Sequence, residues 1–246
     1  MKIYKFKDLT DENKHSHFLE IVLKNSIWCA RPDSLNDKEE FITKLDYEPS
    51  LDTRELLTEA VAKFRTTDYS HQPYESAFLT LEHKGLDDNA NKVIENMVNK
   101  CRAEIGITSF ALEMNNQLWN EYGGNGNGVC VEINIPDHFV GKDYHPVQYL
   151  SDKTFHVDSF LKSVLFHDKI IETYRNVLLT KTKEWEQEKE IRFIGNRQDV
   201  TMILSDCYIS EITFGSNVPK YTLETLVTSI ANHCKNRRIL IKKLSN

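Results

Sequence analysis

The sequence predicts an α+β fold: a single domain with a mixed, largely antiparallel sheet flanked by helices. Three observations predict it. Segments of strand period are interspersed with segments of helical period. Their order lacks the strict βαβ alternation of a parallel sheet. The composition, 40% hydrophobic and 28% charged, is that of a packed chain and not a disordered one. At 246 residues such a chain buries roughly 70–75% of its unfolded surface, enough for one sizeable core.

The elements follow in order. Residues 3–6 alternate apolar and charged side chains, which predicts a first strand. Over 9–24, Phe18, Ile21 and Val22 follow a polar turn at helical spacing. Residues 25–30 read as a second strand. Arg31 to Asp37 is turn chemistry, with Pro32 pre-setting its own φ and Asn36 and Asp37 suited to bonding nearby amides. Residues 53–66 and 88–104 read as helices; in the second, Val93, Met97 and Cys101 recur at i, i+4 and i+8. Together they form a helical insertion at about 50–104. Strands are then predicted at 105–110, 129–133, 147–149, 188–194, 207–214 and 238–244. Helices are predicted at 117–122, over most of 157–185, and at 222–235.

Charge and cysteine content narrow the function classes. With 31 Lys and Arg against 37 Asp and Glu, the net charge is −6. An acidic chain is a poor general nucleic-acid binder, because phosphate neutralisation needs a basic surface. Lys235–Arg238 with Lys242 and Lys243 is the one basic cluster, either a local patch or a solvated C-terminal rim. No apolar run approaches the ~18–20 residues of a membrane span, and the start of the chain lacks a signal-peptide core. Five cysteines without a C-x-x-C pair read as reduced, buried thiols of a cytoplasmic protein.

Three segments carry candidate chemistry. The strongest is Glu188-Lys189-Glu190-Ile191-Arg192-Phe193. On a strand, Glu188, Glu190 and Arg192 share one face at about 7 Å per step, and Ile191 and Phe193 take the other. Two carboxylates this close separate in proton affinity, and a guanidinium widens the separation. That suits acid/base work or stabilisation of a developing positive charge. The alternative is a charged solvent face whose pairing contributes only ~0–1 kcal/mol. The second segment is Trp119-x-x-Tyr122 followed by Gly123, Gly124, Gly126 and Gly128. Trp119 and Tyr122 share a helix side and offer an apolar wall with polar tips. The glycines end a helix instead of opening one, so they do not form a dinucleotide fingerprint. Core aromatics with a hairpin are the alternative. The third segment places Arg31, Asn36, Asp37 and Glu40 on one loop, as ligand groups or as a self-capped turn. The nine histidines show no H-E-x-x-H and no cysteine at zinc spacing, so no metal is expected. Neither a phosphate-binding P-loop nor a G-x-S-x-G elbow is present.

Taken in order, these segments resemble a widespread bacterial family classed as a domain of unknown function. The residues that carry the resemblance are Tyr4-Lys5-Phe6; Leu35-Asn36-Asp37-Lys38-Glu39-Glu40, where the family has Asn-Asp-Pro-Phe-Glu; Ser109-Phe110; Trp119 and Tyr122; and Gly128-Val129-Cys130. Lys181 or Lys183, then Trp185, Glu188, Glu190 and Arg192, and finally Ile212-Thr213-Phe214-Gly215 complete the set. Lys38 departs from the family's proline. The family's pattern is remotely similar to NAD-dependent ADP-ribosyltransferases. That resemblance implies NAD as cofactor or substrate. It makes Glu190 the residue that stabilises an oxocarbenium-like ribose as nicotinamide leaves, and Glu188 the residue that orients the acceptor. Trp119 or Tyr122 would stack on nicotinamide, and Tyr4, Arg31, Asn36, Asp37, Glu40, Ser109 and Arg192 would line the ligand site. The carboxylate logic follows from spacing as well, since glycosidic cleavage elsewhere uses the same physics. The implied role is an NAD-consuming transferase or glycohydrolase in phage defence or toxicity. The alternative is a non-catalytic module that senses a nucleotide or recruits a partner.

Overall fold

The computed structural model describes residues 1–35, 44–46, 105–156 and 177–245, with isolated positions between them. The predicted helices at 53–66 and 88–104, and most of the periodic stretch at 157–185, lie outside the described residues. The chain divides into two compact units: Met1–Arg31, Gly106–Tyr149 and Lys183–Asn246 form one, Pro32–Ile105 and Leu150–Thr182 the other.

In the first unit, strand β1 (Lys2–Asp8) leads to helix α1 (Glu12–Lys24) and strand β2 (Ser26–Cys29). The Asp11 side chain accepts from the Asn13 amide at the start of α1, satisfying one orphan donor. Asn25 ends the helix in a left-handed conformation, which asparagine tolerates. Its amide group donates to the carbonyls of Leu204 and Cys207, tying the turn to a distant loop. Strand β3 (Lys44–Asp46) belongs to the second unit. The first unit resumes with β4 (Gly106–Ala111), the short helix α2 (Asn116–Glu121), β5 (Gly128–Asn134) and β6 (Tyr144–Pro146). Short strands β7 (Gln148–Leu150), β8 (Thr154–His156) and β9 (Thr180–Thr182) follow, with β8 pairing β3 in parallel inside the second unit. The first unit closes with β10 (Glu190–Gly195), β11 (Val200–Ile203), β12 (Tyr208–Phe214), α3 (Lys220–His233) and β13 (Leu240–Lys243).

Seven strands form one sheet in the order β13-β12-β5-β1-β4-β10-β6. Only the β12–β13 pair is parallel, so the sheet is mixed and mostly antiparallel, in the expected α+β class. β11, missed in the sequence, pairs with β2 in a separate ladder. It is only four residues long, with half-buried and exposed positions alternating.

The two faces of the large sheet are packed unequally. On one, Val129, Val131, Ile133, Ile212 and Phe214 meet Phe18, Ile21 and Val22 of α1 and Leu226 and Ile230 of α3. Phe18 stands edge-on to Phe214, with centroids 5.9 Å apart. The other face carries a smaller cluster of Phe6, Ala111, Leu118, Trp119 and Cys130. Phe6 meets Trp119 edge-to-face at 5.1 Å, a geometry worth about 0.5–1.5 kcal/mol beyond area. Gly124 holds φ +58° with Asp8 against it, where a Cβ would lie 2.4 Å from the carboxylate. A side chain there is excluded both by backbone conformation and by space.

Candidate functional site

Cross-strand register brings the motif segments together. Tyr4 pairs with Ala111, and Ala111 pairs in turn with Glu190. Directly paired residues point to the same side of a sheet, so Tyr4, Ala111 and Glu190 form one row across β1, β4 and β10. One step along, Ser109 pairs with Arg192. Residues near the two ends of the sequence thereby become neighbours.

Glu190 and Arg192 form a closed ion pair. The Arg192 Nε donates to Glu190 Oε1 at 2.8 Å and Nη2 to Oε2 at 3.0 Å. Their side chains are 5% and 0% exposed. The pairing is bidentate, the geometry in which guanidinium and carboxylate match best. The Glu190 amide donates to the Tyr149 hydroxyl at 2.7 Å, and its carbonyl accepts from the Val147 amide at 2.9 Å. Tyr149 was not singled out in the sequence; nothing in its local pattern distinguishes it from any short-strand aromatic.

Glu188 departs from the predicted strand alternation. It ends a 3₁₀ helix, Lys183–Glu188, while β10 begins at Glu190. Lys189 between them has φ +42°, so the chain turns and the i, i+2, i+4 series starts only at Glu190. The predicted helical period up to residue 185 likewise gives way to strand β9 and this 3₁₀ turn. Glu188 is nonetheless buried and accepts a short hydrogen bond from the Tyr122 hydroxyl. Tyr122, the residue that ends α2, packs with Tyr4 against the Phe6–Trp119 cluster. Trp119 itself is only 8% exposed and serves as core, while Tyr122 carries the polar tip.

Other predicted residues stand apart. The Tyr4 hydroxyl donates to Glu132 Oε2 at 3.2 Å, turned toward β5 and away from β10. Glu132 also accepts from Ser210 and Lys2. Burial works against its ionisation, but those hydrogen bonds outweigh it and hold its carboxyl below the usual value. Arg31 pairs with Asp199 at 2.9 Å, both about half exposed. It follows Ala30, which bridges to Ile107. Ile107 is four residues along β4 from Ala111, so this rim lies about 13 Å from the Glu190 row. Ser109 presents its carbonyl to the Lys5 ammonium at 2.7 Å. Asn36, Asp37 and Glu40 fall outside the described residues.

Cys29, Cys130, Cys207 and Cys234 are free and buried. Burial pushes the Cys29, Cys130 and Cys207 thiols up, which makes them poor nucleophiles. Among the described residues no cluster of His, Cys, Asp or Glu is arranged to hold a metal, and no helix is long and apolar enough to cross a membrane. In the C-terminal basic cluster, Arg237 donates to the Val22 carbonyl, Lys242 pairs with Glu211, and Lys243 donates to the Val218 carbonyl. These three side chains tie the C-terminal segment to the rest of the first unit.

Comparison with known protein families, with characterised proteins and with solved structures finds no match.

Proposed function

We propose that the chain is an NAD-consuming enzyme of the ADP-ribosyltransferase type, with Glu190 as its central carboxylate and Glu188 as its partner. One observation carries this reading: Tyr4, Ala111 and Glu190 form a single cross-strand row, and Tyr122 reaches Glu188 beside it. Four of the segments that resemble the family thus converge on one sheet face. In this mechanism Glu190 stabilises positive charge on the ribose as the nicotinamide bond breaks, as carboxylates do in glycosidic cleavage. Arg192 fixes the carboxylate's orientation through two hydrogen bonds. Glu188, oriented by Tyr122, receives the acceptor's proton. NAD is the proposed ligand and no metal takes part.

The experiment is incubation of purified protein with NAD, with nicotinamide release followed by chromatography and ADP-ribose on candidate acceptors by mass spectrometry. Release by the wild type that disappears in Glu190→Gln supports the proposal. Absence of NAD cleavage with every acceptor class removes it.

A second reading rests on a different observation, the near-complete burial of the Glu190–Arg192 pair. A carboxylate with both oxygens engaged is well suited to organising a binding surface without chemistry. In that reading the chain is a nucleotide-sensing or partner-binding module. Saturable NAD binding without turnover, unchanged in Glu190→Asp, separates it from the enzyme.

A further inference from the structure

Three consecutive residues at the junction of the 3₁₀ turn and β10 are tied to the segment that leads into and through α2. The Gln187 carbonyl accepts from the Asn115 side chain at 2.8 Å. The Glu188 carboxylate accepts from the Tyr122 hydroxyl. The Lys189 carbonyl accepts from the Leu112 amide at 2.8 Å, and its ammonium meets Glu113 at 2.6 Å. Beyond them β10 begins, and its ladder with β4 takes over.

These ties differ in what they can fix. The side chains of Lys189 and Glu113 are 50% and 61% exposed, so solvent and salt screen their attraction. The Leu112 bond is backbone and extends the ladder by one step. Asn115 does more. It is the N-cap of α2, its Oδ1 accepting from the Leu118 amide at 2.9 Å, while its Nδ2 holds Gln187. One partner is a donor and the other an acceptor, so a single orientation of the side-chain amide satisfies both. One planar group therefore sets the helix that leads to Tyr122 against the turn that carries Glu188.

The turn needs such a hold. A 3₁₀ turn has poorer hydrogen-bond geometry than an α-helix. Lys189, at φ +42°, holds a left-handed conformation that a non-glycine residue keeps only where its surroundings enforce it. Extended backbone at Lys189 would instead continue the strand through Glu188 and draw its carboxylate off the Tyr122 hydroxyl. We infer that Asn115 is a positioning residue: by bonding the Gln187 carbonyl it fixes the Glu188 carboxylate against Tyr122. The chemical consequence rests on the NAD-consuming reading above, in which Glu188 receives the acceptor's proton. There a displacement of about 1 Å costs about 10²-fold in rate. Asn115 acts only through Glu188, so its loss lowers turnover and leaves the binding of NAD unaltered.

The test separates the two duties of the side chain. In Asn115→Asp the new carboxylate caps α2 as well as asparagine does but has no N–H for Gln187. Asn115→Ser makes the same separation without added charge. Both should melt within about 4 °C of the wild type, the shift for one lost hydrogen bond in a chain of this size. In protein carrying isotope-labelled tyrosine, the Tyr122 hydroxyl proton is assigned by its absence from Tyr122→Phe. It should be a downfield, slowly exchanging NMR signal in the wild type, and both position-115 variants should lose it. ADP-ribose transfer by both should show kcat lower by about tenfold or more, with KM for NAD within about twofold. An unchanged hydroxyl signal in Asn115→Asp overturns the inference, and so does unchanged kcat in a variant whose signal is lost. Both variants melting far below the wild type would overturn it too, by making Asn115 a support of the whole fold and not of one carboxylate. A wild type that cleaves no NAD removes the proposed function instead, and the hydroxyl signal then decides the positioning of Glu188 by itself.

Discussion

The two sides of β1 resolve buried charge in opposite ways. On the side of Tyr4, Glu190 and Arg192 neutralise each other within 3 Å and exclude solvent. On the side of Ile3, Lys5 and Lys7 are both cationic types with no carboxylate partner among the described residues. Desolvation costs several kcal/mol per ion, and only well-made pairing offsets it. The first arrangement therefore fixes a structure, and the second leaves two ammonium groups without a carboxylate pair among the described residues. A chain under selection for stability alone would fill positions 5 and 7 with apolar residues, as it does at Ile3 and Leu9. The contrast separates a closed ion pair from two lysines that no described carboxylate neutralises.

The largest effect should come from breaking the closed pair. Arg192→Leu takes both guanidinium hydrogen bonds from the buried Glu190 carboxylate, a loss of about 3–5 kcal/mol, measurable as a lower urea midpoint. Replacing both residues by leucine should recover most of that loss, since an apolar pair of similar volume is often neutral. A single variant costing under about 1 kcal/mol would mean that the pair is solvated. Next in size is Tyr122→Phe, which removes the Tyr122 hydroxyl bond to Glu188. The expected cost is about 1.5–3 kcal/mol, the range for hydrogen bonds to charged groups, again read by chemical denaturation. Smaller, and of opposite sign, is Lys7→Met: removing a partly desolvated charge that forms no salt bridge among the described residues should raise stability by about 1 kcal/mol. A destabilised Lys7→Met would show that Lys7 is paired in solution.

A further predicted effect is pH-dependent. Lys5 titrates at about 7 when folded against an ordinary 10.5, so between those values the unfolded chain binds the extra proton. Stability then rises with pH across that window and is level below it. Lys7, lowered in the same direction, adds to the trend, and His17 and Glu20 line the small cavity beside both lysines. The clean readout is the difference between wild type and Lys5→Met from pH 7 to 10.5, which should shrink or invert as pH rises. A pH-independent difference would place Lys5 in water.

Much of this fold was legible in the sequence because local pattern and final environment agree. Residues 18, 21 and 22 form one helical stripe, and that stripe is what α1 buries. The α+β class followed from the order of such segments. What was hidden depends on long-range packing or on single backbone angles. The left-handed Lys189 breaks an alternation that looked continuous from Glu188 to Arg192, and no composition signal marks it. Tyr149 and Glu132 enter the polar network only through pairings about 40 and 130 residues away in the chain. The half-buried lysines had a visible trace: Lys5 and Lys7 at alternate positions between Ile3 and Leu9, on what proved to be a central strand. An isolated alternation does not say which side faces the core.

The central claim is the proposal that Glu190 performs chemistry on NAD. Nicotinamide release from NAD, measured side by side for wild type, Glu190→Gln and Lys7→Met, tests it most directly. The account predicts equal release by wild type and Lys7→Met, and a loss of about 10²-fold or more in folded Glu190→Gln, as expected when a group stabilising transition-state charge is removed. Undiminished release by Glu190→Gln, or no release by the wild type, would contradict it.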